Sequence, residues 1–233
     1  MKKLLSVLLI LALGLVVYAQ DYDYGVDDEI PSQDFTLFYV GAEVGASTIN
    51  NLAINDGSGF TFPISPLIGG EISPVLGIRP FDNTNMAMEI NVLVDNLSYI
   101  AFNAGINNSD VKFTSEIISP QILAIYTFGG GHIRPFSGLG FGANFNSLIV
   151  EAKTLDTDGS LKTETTTYDI NTSFSMVLKS GVKFSIPDTN FDIYAFGRYN
   201  VNFPTKITYN NQSVDSLMNS SNLSVAVGAV FNF

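Results

Sequence analysis

The end of the chain alternates strictly between apolar side chains and small or polar ones. The apolar positions are Leu223, Val225, Val227, Ala229, Phe231 and Phe233. Successive side chains of a β-strand point to opposite faces, so this spacing predicts a strand with one wholly apolar face. The strand runs to the last residue of the sequence.

The same two-residue period recurs upstream and predicts a strand in each segment. The eight predicted strands cover residues 38–46, 71–79, 86–95, 118–128, 138–145, 174–184, 191–201 and 223–233. Their connections are alternately long and short. Tight turns are predicted at 81–85, at 129–131 and around Pro187 and Asp188, and long loops rich in Asn, Ser, Thr and Gly at 47–65, 96–110, 146–164 and 203–221. Short turns at one end and long loops at the other are typical of up-and-down outer-membrane barrels.

Alternation alone does not say which face of a closed barrel points outward. A soluble periplasmic barrel of the lipocalin type also alternates, but it keeps its apolar face inside, where it binds lipid. The composition favours the opposite arrangement, because only 14% of residues are charged, against roughly 25% in ordinary soluble domains. The polar face consists mostly of Gly, Ser and Asn, which suit the crowded interior of a narrow barrel. We therefore predict an all-β, closed, antiparallel, eight-stranded transmembrane barrel with its apolar face toward lipid.

Two prolines fit this prediction poorly. Pro74 and Pro120 both fall inside predicted strands. A proline cannot donate a ladder hydrogen bond, and a closed barrel has no edge strand on which to place it. A bulge or an irregular ladder is expected near each.

The N-terminal segment has the composition of an export signal. Lys2 and Lys3 precede an apolar run over residues 4–17, and Ala19 ends a stretch suited to cleavage. This pattern predicts a cleaved signal peptide at 1–19, with an uncleaved anchor as the alternative. Residues 20–34 then form an acidic, aperiodic lead-in that is expected to be flexible, and the barrel domain is predicted to cover 35–233.

Composition excludes several classes of function. The chain has no cysteine, a single histidine and a net charge of −11. Thiol chemistry, disulfides and multi-histidine metal sites are therefore excluded. A nucleic-acid partner is not expected, because phosphate binding requires clustered Lys and Arg.

The faces predicted to point into the barrel carry almost equal numbers of acids and bases. The acids are Glu43, Glu71, Glu89, Asp95 and Asp192, and the bases are Arg79, Lys179, Lys183 and Arg198. A buried charge without a partner is costly, so these groups are expected to pair with one another. Counting from the turn at Pro187 suggests the pair Lys183 and Asp192. The network either plugs the lumen or lines a narrow ion path, and the plug is the favoured interpretation.

Two segments carry a resemblance to a known family. One is the terminal strand, whose alternating positions Val225, Val227, Ala229, Phe231 and Phe233 end in an aromatic residue. The other is the Gly-rich segment 134–142. Over about residue 35 to the end, the sequence resembles the small eight-stranded outer-membrane barrels of the OmpX and OmpA transmembrane-domain type.

The resemblance implies a location in a bacterial outer membrane. It implies lipid as the surroundings, recognition of the terminal strand by the barrel assembly machinery, and four external loops that could bind an extracellular ligand. The implied role is structural or surface interaction. A narrow ion-conducting pore is the alternative.

Neither catalysis nor a cofactor is expected. Barrel enzymes of this class need a histidine on the outer side of the membrane, whereas His132 follows the triple-glycine turn and is expected at the periplasmic rim. Asp156, Asp158 and Gly159 resemble part of a calcium loop, but Thr154 and Thr165 stand where the full pattern has acids. We interpret that segment as a β-turn and expect no metal site.

Overall fold

The computed structural model describes residues 38–55, 61–63, 67–79, 85–101, 110–155, 160–203, 205–209 and 212–233. The predicted signal peptide and acidic lead-in lie outside these residues, as do Asp156–Gly159. The strands are β1 (Phe38–Asn55), β2 (Thr61–Pro63), β3 (Leu67–Ile78), β4 (Met86–Ala101), β5 (Asp110–Thr127), β6 (Ile133–Leu155), β7 (Leu161–Ser185), β8 (Phe191–Asn202), β9 (Thr205–Tyr209) and β10 (Gln212–Asn232). Within the described ranges, no helix is long and apolar enough to cross a membrane.

The strands form a single antiparallel sheet that closes on itself. Each long strand pairs with its neighbours in sequence, and β1 pairs with β3 on one side and with β10 on the other. At the closing seam Ala42 of β1 faces Ala229 of β10, and on its other side the same residue faces Pro74 of β3. The prediction of a closed, up-and-down barrel is confirmed.

The ten strands correspond to eight strands of the barrel, because two short strands, β2 and β9, continue longer ones. β1 pairs Ile49 with Leu67 of β3 and Ala53 with Pro63 of β2, without a change of register. In the same way, β9 follows β8 in unchanged register along β7. The count of eight barrel strands made from the sequence is therefore correct.

The two ends of the barrel differ as predicted. At the turn end, β5 and β6 are joined by Phe128–His132, where Gly129 and Gly131 adopt positive φ angles of 72° and 85°. The connection between β7 and β8 contains Asp188, also at a positive φ of 58°. Phe38 and Phe233, the first and last described residues, lie at this end, where the Phe233 N–H donates to the Phe38 carbonyl at 2.9 Å.

The predicted lengths of the long loops at the other end are wrong, because much of each predicted loop belongs to a β-strand. β1 continues to Asn55, β4 to Ala101 and β6 to Leu155. β7 already begins at Leu161 and β10 at Gln212. The sequence hides these ends because the apolar alternation stops while the backbone ladder continues, as at residues 162–165, which are all exposed although they are paired with β6. We call residues 110–115, 149–155 and 161–168, which prolong β5, β6 and β7, the extension.

Pro74 and Pro120 interrupt the ladder without shifting it. Pairing between β3 and β4 passes from Ile72–Val94 to Val75–Asn91, and pairing between β5 and β6 likewise skips the rung at Pro120. The expected irregularity is therefore a gap rather than a bulge. Both prolines lie on one rung, on either side of Val92.

Candidate functional site in the barrel lumen

The lumen is built of layers, and β8 alone shows most of them in order. Its inward positions from the turn end are Asp192, Tyr194, Phe196, Arg198 and Asn200, all buried. Equivalent positions on the other strands add to each layer. A charged mouth is followed by an aromatic layer, a cluster of ion pairs, a layer of amides and hydroxyls and, at the loop end, an apolar cap. The cap contains Ile49, Leu67, Leu97, Ile117, Leu148 and Ile170.

Five side chains near the middle form what we call the central ion cluster. They are Glu43, Glu71, Glu89, Lys179 and Arg198. The Lys179 ammonium forms ion pairs with Glu43 and Glu89. Arg198 pairs with Glu43 and lies 3.6 Å from Glu71 Oε1. Since Lys179 and Arg198 are completely buried, these carboxylates supply the compensation that a buried cation requires.

The aromatic layer supports the central ion cluster. Tyr194 Oη donates to Glu43 Oε1 at 2.9 Å, and Tyr39 Oη donates to Glu89 Oε2 at 3.4 Å. Lys179 Nζ lies 4.8 Å from the centre of the Phe196 ring, within the range of a cation–π interaction.

Two glycines make room for the tyrosine rings. Gly77 faces Tyr39 across β1 and β3, and Gly228 faces Tyr194 across β8 and β10. A Cβ on Gly77 would lie 1.8 Å from Tyr39 Cζ, and one on Gly228 would lie 2.4 Å from Tyr194 Cζ. Glycine at these two positions therefore lets each ring lie flat against the neighbouring strand.

A second charged group lies at the turn end of the lumen, and we call it the mouth cluster. It consists of Arg79, Arg134, Lys183 and Asp192, with Asn232 beside them. Arg134 Nη2 and Lys183 Nζ each lie 3.8 Å from an oxygen of Asp192. Lys183 and Asp192 meet diagonally, because Ser185 occupies the position directly opposite Asp192.

Ser185, Asn232 and Tyr39 make further contacts with the mouth cluster. Arg134 Nη2 donates a hydrogen bond to Ser185 Oγ at 2.5 Å. Asn232 accepts a hydrogen bond from Arg79 Nη2 at 3.1 Å and donates one to Asp192 Oδ2 at 3.2 Å. Arg79 and Lys183 both lie 5.3 Å from the centre of the Tyr39 ring. Arg134 was not among the nine charges selected from the sequence. The sequence could have identified it, because Arg134 lies two residues before the inward-facing Phe136 on the same strand and therefore shares its face.

Asp95 belongs to neither cluster. Its carboxylate accepts hydrogen bonds from Ser47 Oγ at 3.0 Å and from Asn222 Nδ2 at 2.5 Å. It therefore lies in the amide and hydroxyl layer. The structure thus divides the nine charges into five in the central ion cluster, three in the mouth cluster and Asp95 alone.

Comparison with known proteins supports the fold and nothing finer. No protein-family model matches the sequence, and no curated protein sequence matches it either. Among solved structures, Neisserial surface protein A (NspA) is similar, with 17% identity, coverage of 84% of this chain and 97% of that one, and a TM-score of 0.51. The outer membrane protein OprG from Pseudomonas aeruginosa has 11% identity, coverage of 85% and 97%, and a TM-score of 0.53. The fold is that of a small outer-membrane β-barrel.

The outer surface of this barrel is apolar, as the sequence predicts. The large exposed side chains on it include Ile72, Ile122, Phe141, Leu139 and Val227. The alternative of a soluble barrel with an apolar interior is wrong, because these apolar side chains point outward while the charges point inward.

Aromatic side chains flank the apolar outer surface at both ends. Phe184, Phe191 and Phe231 lie near the turn end, and Phe141 and Phe174 nearer the loop end. The ten steps of β7 from Phe174 to Phe184 correspond to about 33 Å of strand, or about 25 Å along the axis of a tilted barrel. That is the height of the apolar band in outer-membrane barrels. We call the part of the barrel wall that lies level with residues 174–184 of β7 the apolar band.

The residues of the candidate assembly signal lie together on the outer face of β10. Val225, Val227 and Phe233 are exposed, and the Phe231 ring lies 5.0 Å from Phe191 and 4.9 Å from Phe233. Together with Ala229 they form one continuous stripe that ends at the turn end of the barrel.

His132 is exposed in the turn between β5 and β6. Its backbone carbonyl accepts a hydrogen bond from the Ser185 N–H at 2.8 Å. Within the described part of the chain, no group of three or more His, Asp or Glu side chains could hold a metal ion.

Proposed function

We propose that this chain is an integral protein of a bacterial outer membrane, that its lumen is closed, and that its role is structural with surface contacts made beyond the membrane. The single observation that carries the closed lumen is the central ion cluster. Its cations, Lys179 and Arg198, are completely buried and are held by carboxylates from β1, β3 and β4. An ion entering the lumen would have to separate these pairs in surroundings of low polarity.

The layers on either side of the central ion cluster support the same conclusion. Tyr39, Phe136, Tyr194 and Phe196 lie between the central ion cluster and the turn end. The apolar cap lies between the amide layer and the loop end. Hydrated ions cross an apolar constriction poorly, since the ion would lose water without gaining polar partners.

The alternative, a narrow ion-conducting pore, draws support from the amide and hydroxyl layer. Side-chain atoms of Gln121, Ser175 and Asn200 are buried there without a hydrogen-bond partner in the structure. Such atoms could coordinate a passing ion or a water molecule. The pore would need the apolar cap and the central ion cluster to open.

Planar-bilayer recording separates the two functions. The wild-type protein is expected to show no steady conductance. A variant in which Glu43, Glu89 and Lys179 of the central ion cluster and Leu97 and Leu148 of the apolar cap are all replaced by Ser is expected to conduct, because both the ion pairs and the cap that close the lumen become small neutral polar side chains. Conductance by the variant also demonstrates insertion under the same conditions. A steady wild-type current that follows an ion gradient would contradict the closed lumen.

The outer surface and the extension support proposals for three kinds of partner. We propose that lipid surrounds the apolar band, and that the stripe from Val225 to Phe233 is read by the barrel assembly machinery during insertion. We also propose that the segments beyond the apolar band are where an extracellular ligand would bind. His132 has no catalytic role in this proposal, since it lies in a turn at the opposite end.

A further inference from the structure

We infer that the turn-end mouth of the barrel is a binding site for a small oxyanion such as inorganic phosphate. The inference rests on the mouth cluster and goes beyond the proposed structural function. Three cationic side chains, Arg79, Arg134 and Lys183, line one cavity of about 40 Å³ that is partly open at the turn end. A space of this size holds a few water molecules or one small oxyanion.

The charges around this cavity are unbalanced. Asp192 is the acid that the structure brings into ion-pair contact with the mouth cluster, and both Arg134 and Lys183 share it. Among the described residues the cations around this cavity therefore outnumber the acids; Asp34 and Asp82, which adjoin the turn end in the sequence, lie outside those residues. Asp188 is exposed at the tip of the next turn.

The central ion cluster, with three carboxylates and two cations, offsets the charge of the mouth only in part. Its carboxylates are engaged with Lys179 and Arg198, and the Tyr39 and Tyr194 rings lie between the two groups of charges. Glu89 is the acid of that cluster that acts electrostatically on Lys183, while Arg79 and Arg134 both repel Lys183. Three like charges held around one space favour an anion between them.

The cavity is also lined by hydrogen-bond donors of the kind that bind an oxyanion. Arg134 Nε is buried and has no hydrogen-bond partner in the structure. Asn85 and Thr127 complete the polar lining with an amide and a hydroxyl. A guanidinium presents a planar set of donors, and Lys183 adds a point charge, the combination that binds phosphate groups in proteins.

Two kinds of substitution should move the affinity in opposite directions. Arg134→Gln removes one cation and its donors, so the affinity for phosphate should fall by about tenfold or more. Lys183→Gln should also lower the affinity for phosphate. Asp192→Asn removes the competing carboxylate while keeping the size of the side chain, so the affinity should rise severalfold.

The test is a titration of the full chain with inorganic phosphate in a maltoside detergent at pH 7 and about 0.1 M KCl, where charges more than about 10 Å apart are screened. Calorimetry gives the stoichiometry, and ³¹P line broadening gives an independent affinity. Lys162→Gln, at the loop end, is the matched control: it removes one positive charge from an exposed position and should leave the affinity unchanged. The boiled and unboiled mobility of each variant on a cold SDS gel shows whether it has folded.

The proposal is supported by saturable one-to-one binding that Arg134→Gln weakens and Asp192→Asn strengthens. It is overturned if the wild-type protein shows no saturable binding. It is equally overturned if Lys162→Gln lowers the affinity as much as Arg134→Gln, since that result would show attraction to the overall charge only. Should Arg134→Gln fail to fold, the opposite shifts of Lys183→Gln and Asp192→Asn decide the question.

Discussion

The apolar band and the extension lie on the same strands, on either side of a register shift at Asn144 and Asn146, but differ in their pattern of side-chain exposure. In the band, exposed and buried positions alternate residue by residue, as β8 shows throughout its length. In the extension, Lys162, Thr163, Glu164 and Thr165 are consecutive and all exposed, although β7 remains paired with β6 along this whole stretch. The alternation therefore reports the difference between an apolar outer surface and an interior of packed side chains, and is not a requirement of the strand.

The largest expected effect comes from comparing a buried ion pair with an exposed one. Glu43→Ala leaves Lys179 and Arg198 with less compensation inside the lumen, and should lower the free energy of unfolding by about 3–5 kcal/mol. Lys162→Ala removes the exposed pair with Glu164 and should not change stability measurably. Urea unfolding in detergent, followed by circular dichroism, measures both. Equal effects of the two substitutions would refute the role assigned to the central ion cluster.

A smaller effect is expected from placing a charge on the outer face of each region. Ile122 is exposed on β5 within the apolar band, and Ile122→Arg should cost about 2–4 kcal/mol if that surface faces the hydrocarbon near the bilayer centre. Thr165→Arg, in the extension, should change stability by less than about 0.5 kcal/mol. Folding equilibria in lipid vesicles provide the measurement. A tolerated Ile122→Arg would mean that this surface does not face lipid.

The smallest effect is expected from shortening the extension. Ala152 and Glu164 are paired on β6 and β7, so residues 153–163 can be replaced by Asn-Gly, the preferred two-residue hairpin turn. The barrel should keep its heat-dependent mobility shift and lose no more than about 1 kcal/mol. Loss of the shift would show that the extension stabilises the barrel and is more than a surface for contacts.

The sequence predicted the strands of the apolar band and missed most of the extension. The strand from Leu223 to Phe233 could be recognised because each outward residue must be apolar there. The ends of β6 and β7 could not, because consecutive exposed positions such as 162–165 and the register shift at Asn144 and Asn146 break the two-residue period.

The sequence predicted which side chains point into the lumen, but not at which level along the barrel axis each one lies. Parity places Glu43, Lys179 and Asp95 inside the barrel, but Glu43 and Lys179 are 136 positions apart and meet only because the strands are staggered around the barrel. Asp95 has the same parity and lies at a level where Ser47 and Asn222 surround it. The stagger depends on the register of all the strands together, which local periodicity does not contain.

The interrupted rung at Pro74 and Pro120 has a consequence for the chain before it becomes a barrel. A chain exported as proposed above would cross an aqueous compartment unfolded, where its apolar β-prone segments could pair with other chains. Each proline stands in the middle of such a segment, between Ile72 and Leu76 and between Ile118 and Ile122, and breaks the continuous pairing that aggregation requires. The two prolines that interrupt the ladder of the folded barrel would thus also hinder aggregation of the unfolded chain with other copies of itself.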